Sequence, residues 1–213
     1  MTERESLARS VLGERRFAAA RSLVRTVCIR SYVYRYPEER PDVDSPDERV
    51  DVRPITPAVI ESHLTSSQRK AQFTRLLEQG HEGLIAVDDG EWLSYGWIHT
   101  PTSTTTPSHL PEWLLDLDLY WMFYDRTREA YRRQGWHKYL LAERVRTVLE
   151  RERDVEIFTD TVAENPSRYS MCSVGFEPDG ELLIYRVGHP AVVLRRFGRW
   201  DPTAPHPPLP AST

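Results

Sequence analysis

The chain has 213 residues and a net charge of -4, with 39% hydrophobic and 28% charged residues. That is long enough for one domain with a sizeable core and terminal additions, and the acidic balance argues against a nucleic-acid partner. Its two cysteines, Cys28 and Cys172, sit in apolar or small-residue surroundings. This disfavours a disulfide framework and points to a reducing, cytoplasmic setting.

Taken in chain order, the N-terminus has no uninterrupted apolar run, so neither a secretory leader nor a membrane span is expected there. Glu3 to Leu23 has the pattern of an amphipathic helix, with Leu7, Val11, Phe17 and Ala18 on one side. Ser22 to Tyr36, dense in Val, Ile and Tyr, is expected as an extended strand or hairpin arm. The polar segment Pro37 to Pro46 then sets the helix and strand apart as an N-terminal appendage. The apolar strand Leu23 to Tyr36 needs cover, from its own sheet or from a second subunit in a homodimer.

The main domain starts with a strand at Val50 to Ile55, followed by helical pattern from Thr56 to Gln79 with Gly80 as its C-cap. Gly83–Val87 and Trp92–Thr100 flank Asp88-Asp89-Gly90, a strong hairpin signal. Residues 101–113, rich in Ser, Thr and Pro, are expected as a flexible lid or a disordered connector. Leu117 to Thr127 is an aromatic-rich strand that runs into Arg132-Arg-Gln-Gly135-Trp-His137, and a helix follows to Arg153 with Leu140, Leu141, Val145 and Val148 as its apolar stripe. A strand at Val155–Thr161, a turn at Asn165-Pro166, a short helix ending before Gly175 and a strand at Glu181–Val187 complete the pattern. The Pro-rich end, Asp201 to Thr213, is expected to be disordered.

A strand that leads into a glycine turn and a helix leaves backbone N–H groups free beside the positive end of the helix dipole, and this suits a phosphorylated ligand. The basic stretch Arg126 to Lys138, on an acidic chain, supports that reading. No Cys/His cluster has metal-ligand spacing and no Walker-type turn is present, so neither metal nor ATP is expected.

This order of elements resembles the GNAT superfamily of acyl-CoA-dependent N-acyltransferases over about residues 50 to 187. Its signature, Arg or Gln, two residues, Gly, one residue, then Gly or Ala, matches Arg132 to His137 except at the last position. The family's Asn, helix and Gly-Phe element is similar to Asn165 through Gly175-Phe176. The resemblance implies an α/β (α+β) fold with a mixed, mostly antiparallel sheet, a V-shaped parallel splay and flanking helices, in addition to the N-terminal appendage. Domain limits would be 1–46, 47–190 and 191–213. It implies acetyl-CoA or another acyl-CoA as co-substrate and an amine-bearing acceptor. The pyrophosphate would lie on the amides around Arg132, Arg133, Gln134, Gly135, Trp136 and His137. The pantetheine arm would pair with the strand at Phe123, Tyr124 and Thr127, with Asn165 and Ser167 completing the site.

The chemistry needs a neutral amine, a donor for the oxyanion and a proton for the thiolate. Many relatives place a Tyr acid where this chain has Met171, and others a carboxylate base where it has Trp121, so both positions are vacant. Tyr169 lies roughly 200° around the helix from Met171 and serves only if the local backbone differs. Asp125 is expected on one strand face with Trp121, Phe123 and Thr127, as a base or as an ion-pair partner of Arg126, Arg128 or Lys138, with Tyr124 and Asp118 on the opposite face. His99, at a strand end, and Glu164, ahead of Asn165, are further candidates. The leading expectation is N-acyl transfer to a primary amine of a small molecule, sugar or peptide. The alternatives are O-acyl transfer, a longer acyl donor, decarboxylation, or a CoA-binding module without turnover.

Overall fold

The computed structural model describes residues 25–37, 40–107, 109–189 and 192–209, so the helix expected over Glu3–Leu23 lies outside them. The two-residue period of extended chain organises everything else. In the strand Arg25–Tyr36 (β1), Tyr32, Tyr34 and Tyr36 face one hydrophobic cluster and Val33 another. The same split recurs at Leu119–Thr127 (β5), where Leu119, Trp121 and Phe123 oppose Met122, and at Glu156–Thr161 (β6), where Phe158 opposes Ile157.

Five further strands, Asp51–Pro54 (β2), Glu82–Asp88 (β3), Glu91–His99 (β4), Glu177–His189 (β7) and Val192–Asp201 (β8), complete one sheet in the order β2-β3-β4-β5-β6-β1-β7-β8. All pairings are antiparallel except β5 with β6. β1 is therefore interior, bonded to β6 on one edge and to β7 on the other, instead of lying beside the domain as an appendage. Its edges are paired within the sheet, and its described core side chains are buried in the two clusters, Val33 in one and Tyr32, Tyr34 and Tyr36 in the other. The strand character of residues 22–36 was readable locally, whereas its neighbours are more than a hundred residues away in sequence and left no local mark.

The helices Pro57–His63 (α1) and Ser67–Glu78 (α2) pack on one face, and Trp136–Arg151 (α3) and Ser167–Val174 (α4) on the other. The single helix expected over 56–79 is two, because Leu64 is extended and the Ser66 hydroxyl accepts from Arg69 N to start a second helix. Ile60, Leu64, Phe73 and Leu76 are buried from these helices, each contributing about 1.5–3 kcal/mol by its removal from water.

Two segments expected to be loose are built in. In the 101–113 loop, Thr104 N donates to Gln79 O at 2.9 Å, Ser103 Oγ to Gly80 O at 3.2 Å, and Leu110 is fully buried. The tail expected to be disordered from Asp201 onward is held as far as it is described. The buried Arg168 donates to Pro207 O at 2.6 Å and Pro208 O at 3.0 Å, and His206 bonds Gly180 O at 2.8 Å. A proline-rich segment offers carbonyls with few N–H groups, and a guanidinium, which only donates, is its natural partner.

Candidate active site

The site begins with a break in the pairing of β4 with β5. Tyr95 faces Arg126 and Trp97 faces Phe123, so Tyr124 and Asp125 together oppose Gly96, a β-bulge with Tyr124 at φ 52°. The extra residue overturns the expected alternation. Tyr124 stays on the α2 side, its hydroxyl donating to Gln72 Oε1 at 2.9 Å, and Asp125 turns to the α3 side. There it pairs with Arg144, which is wholly buried and also donates to Trp97 O at 2.8 Å. A side chain at Gly96 would collide with both Asp125 and Arg144, so anything larger than glycine would have to displace that pair.

The second break lies between β5 and β6. Their parallel rungs run from Leu119/Glu156 to Met122/Thr159 and then stop. Beyond that fork both strands line a cavity of about 390 Å³, with Phe123, Tyr124, Asp125 and Thr127 on one wall and Asp160 and Thr161 on the other. Arg132, His137, Asn165 and Ser167 also line it, and these were expected ligand contacts. His109, Met122, Arg126 and Met171 complete the lining.

The third element is the turn into α3. Gly135 sits at φ 89° as the N-cap, a conformation that disfavours any side chain, and the first intrahelical bond runs from Tyr139 N to Gly135 O. The N–H groups of Trp136, His137 and Lys138 consequently have no carbonyl within the helix. Of the residues expected around the phosphate, only Arg132 and His137 present side chains to the cavity. Arg133 is exposed, Gln134 donates to Ala130 O at 2.9 Å, and Trp136 is buried against Leu84, Leu93 and Leu140, anchoring the start of the helix. His137 Nε2 lies 4.0 Å from Asp125 Oδ2. Burial pushes its pKa down against the pull of Asp125, and Arg144 adds to the depression.

Solved structures share this architecture. A tandem GNAT protein from the clavulanic acid pathway matches at TM-score 0.54 and 19% identity, covering 83% of this chain and 58% of its own. A GNAT-family protein from Novosphingobium aromaticivorans matches at TM-score 0.50 and 14% identity, covering 78% and 68%. The chain has the GNAT fold. A Drosophila protein shares the architecture at TM-score 0.55 and 13% identity, with 86% of this chain aligned to 57% of that one. The chain thus spans a little under three fifths of the length of two of these proteins, the tandem GNAT protein and the Drosophila protein. No protein-family model and no curated protein matches it.

Within the GNAT fold, the Asn165 to Phe176 element has a plain structural reading. The Asn165 side chain accepts from Ser167 N at 3.0 Å to open α4, and Gly175 at φ 112° closes it, with Phe176 N donating to Met171 O at 3.0 Å. Met171 is buried and faces the cavity, while Tyr169 is half-buried and outside its lining. Glu164 is exposed on the connection from β6 to α4, also away from the cavity. His99, only 1% exposed, lies beside His81 with ring centroids 5.5 Å apart, and burial pushes both down to about 4. Neither ring reaches the cavity lining.

Two residues assigned no role from sequence stand out instead. Asp160, its side chain 4% exposed, accepts from His109 Nε2 at 3.0 Å, from Trp121 Nε1 at 2.8 Å and from the Ser31 hydroxyl. Burial pushes its carboxyl up, but the His109 ring and the donated bonds outweigh this and hold it below the usual carboxylate range. Trp121, which stands where some relatives carry a base, thereby serves as a donor to a carboxylate on the neighbouring strand. The signal for Asp160 was an acid on the same strand face as Phe158, whereas His109 lies in a loop whose pattern carries no positional information.

Proposed function

We propose that this protein is an acyl-CoA-dependent N-acyltransferase that transfers an acyl group, most simply acetyl, to a primary amine. The observation that supports it is the cavity at the fork of β5 and β6, with the bulged β5 on one wall, β6 on the other, and Arg132 and His137 lining it from the turn into α3. A bulge leaves backbone groups of its strand unpaired. Those of β5 suit the amide-bearing pantetheine arm, and the first turn of α3 with Arg132 suits the pyrophosphate. Asn165 and Ser167 border the opposite rim.

The aromatic run from Tyr120 to Tyr124 offers little room for a long acyl chain. Trp121, Met122 and Phe123 are 0 to 6% exposed and packed within the core, and Tyr120 donates to Glu152 Oε2 at 2.8 Å. A short acyl donor is the reading these contacts favour.

A thiol-release assay tests this directly. Purified protein with acetyl-CoA and a panel of primary amines is expected to release CoA in proportion to amine, with longer acyl donors slower. Binding of acetyl-CoA without release for any amine would instead make it a CoA-binding module. Among the described residues no helix is long and apolar enough to cross a membrane, and no group of three or more His, Cys, Asp or Glu is placed to hold a metal ion.

A further inference from the structure

We infer that His109, oriented by Asp160, is the base that takes a proton from the acceptor amine; this inference rests on the acyltransferase reading above. The argument starts from which nitrogen carries the hydrogen. Asp160 already accepts from Ser31 and Trp121 and is buried, so it faces His109 as an acceptor, and the hydrogen between them belongs to His109 Nε2. Nδ1 is then the lone-pair nitrogen, and no described residue holds it. An imidazole with one nitrogen fixed by a carboxylate and the other free is the arrangement a general base requires.

Position separates His109 from the other rings. His81 and His99 are sealed in the core, and His137 faces Asp125 from within α3. The His109 side chain is 33% exposed and lines the cavity. Asp160 is the first residue of β6 past the last rung, Met122/Thr159, so the pair stands at the fork itself, across from the bulge. The turn that carries His109 is anchored, since Leu110 N donates to Pro107 O at 2.9 Å and Thr106 Oγ1 to Leu110 O at 3.2 Å. The other titratable or charged groups lining the cavity are Tyr124, Asp125, Arg126, Arg132 and His137.

In the step so assigned, Nδ1 takes one proton from the acceptor ammonium, and the freed lone pair forms the C–N bond to the thioester carbonyl. The C–S bond breaks, the second N–H proton leaves with the sulfur to give the thiol, and His109 returns its proton to solvent.

The test uses His109→Gln, whose amide can still donate to Asp160, and His109→Ala. Acetyl-CoA affinity is measured by calorimetry and turnover by thiol release across pH. The expected result is unchanged affinity, a kcat lower by on the order of 10²–10³-fold in both variants, loss of the acidic limb of the kcat profile, and partial recovery of His109→Ala by added imidazole. Turnover in His109→Gln within twofold of wild type, or a loss that only parallels weaker acetyl-CoA binding, would overturn the assignment. Wild-type protein that binds no acetyl-CoA would remove the acyltransferase reading itself, and the base with it.

Discussion

Asp125 and Asp160 line opposite walls of one cavity, and their partners differ in kind. Asp125 is paired with Arg144, a permanent charge wholly buried in α3, with the His137 ring at 4.0 Å. Asp160 is held by two neutral donors, Ser31 and Trp121, and by the imidazole of His109. A carboxylate that neutralises a core guanidinium is committed to holding the fold, because burial already pulls Arg144 below its ordinary value and Asp125 offsets part of that. A carboxylate that steers a half-exposed imidazole is available to chemistry. Both acids line the cavity, so it is the partner that separates their roles.

Several measurements would break or sharpen this contrast. Asp125→Ala strands the buried Arg144 and is expected to cost about 3–5 kcal/mol in denaturant unfolding, with the double variant Asp125→Leu/Arg144→Met costing less than the single. A single variant as stable as wild type would undo the structural role. Asp160→Asn is expected to act on turnover, lowering kcat on the order of 10²-fold, about 2.7 kcal/mol, while acetyl-CoA affinity holds. Gly96→Ala, which sets a methyl group against Asp125 and Arg144, should cost about 1–3 kcal/mol of stability by overpacking. The last effect is spread over pH and belongs to the sealed pair His81 and His99. Their folded values of about 4 lie below the ordinary 6.5, so the stability they contribute is complete above 6.5 and lost as pH falls toward 4. The expected slope is roughly 1.4 kcal/mol per pH unit for each histidine, and His99→Phe should reduce the proton uptake seen on unfolding at pH 5.

Local signals in the sequence were read well, and long-range pairings were not. The Asp88 to Gly90 hairpin, the Gly135 turn with its helix, and the Asn165 to Phe176 element each follow from a few neighbouring residues, and each is present. Seven expected ligand contacts, from Phe123 to Ser167, line the cavity together with Asp125 for the same reason. The insertion of β1 between β6 and β7 escaped because alternation identifies a strand and says nothing of its neighbours. The face of Asp125 was misassigned because the period-two rule presumes an unbroken strand, and one left-handed residue at Tyr124 shifts everything after it. Asp160 and His109 escaped because their importance is a contact across 51 residues, between a strand end and an irregular loop.

The most direct test of the account is a calorimetric titration of acetyl-CoA into the wild-type protein and into Arg132→Glu. Arg132 is exposed at the cavity rim, and its side chain's one described bond is a 3.5 Å contact to Thr127 O, so the variant should fold normally. Saturable one-site binding by wild type, weakened by about tenfold or more when the charge is reversed, is the predicted result. No binding by wild type, or equal binding by both, would contradict the placement of acyl-CoA in the fork of β5 and β6.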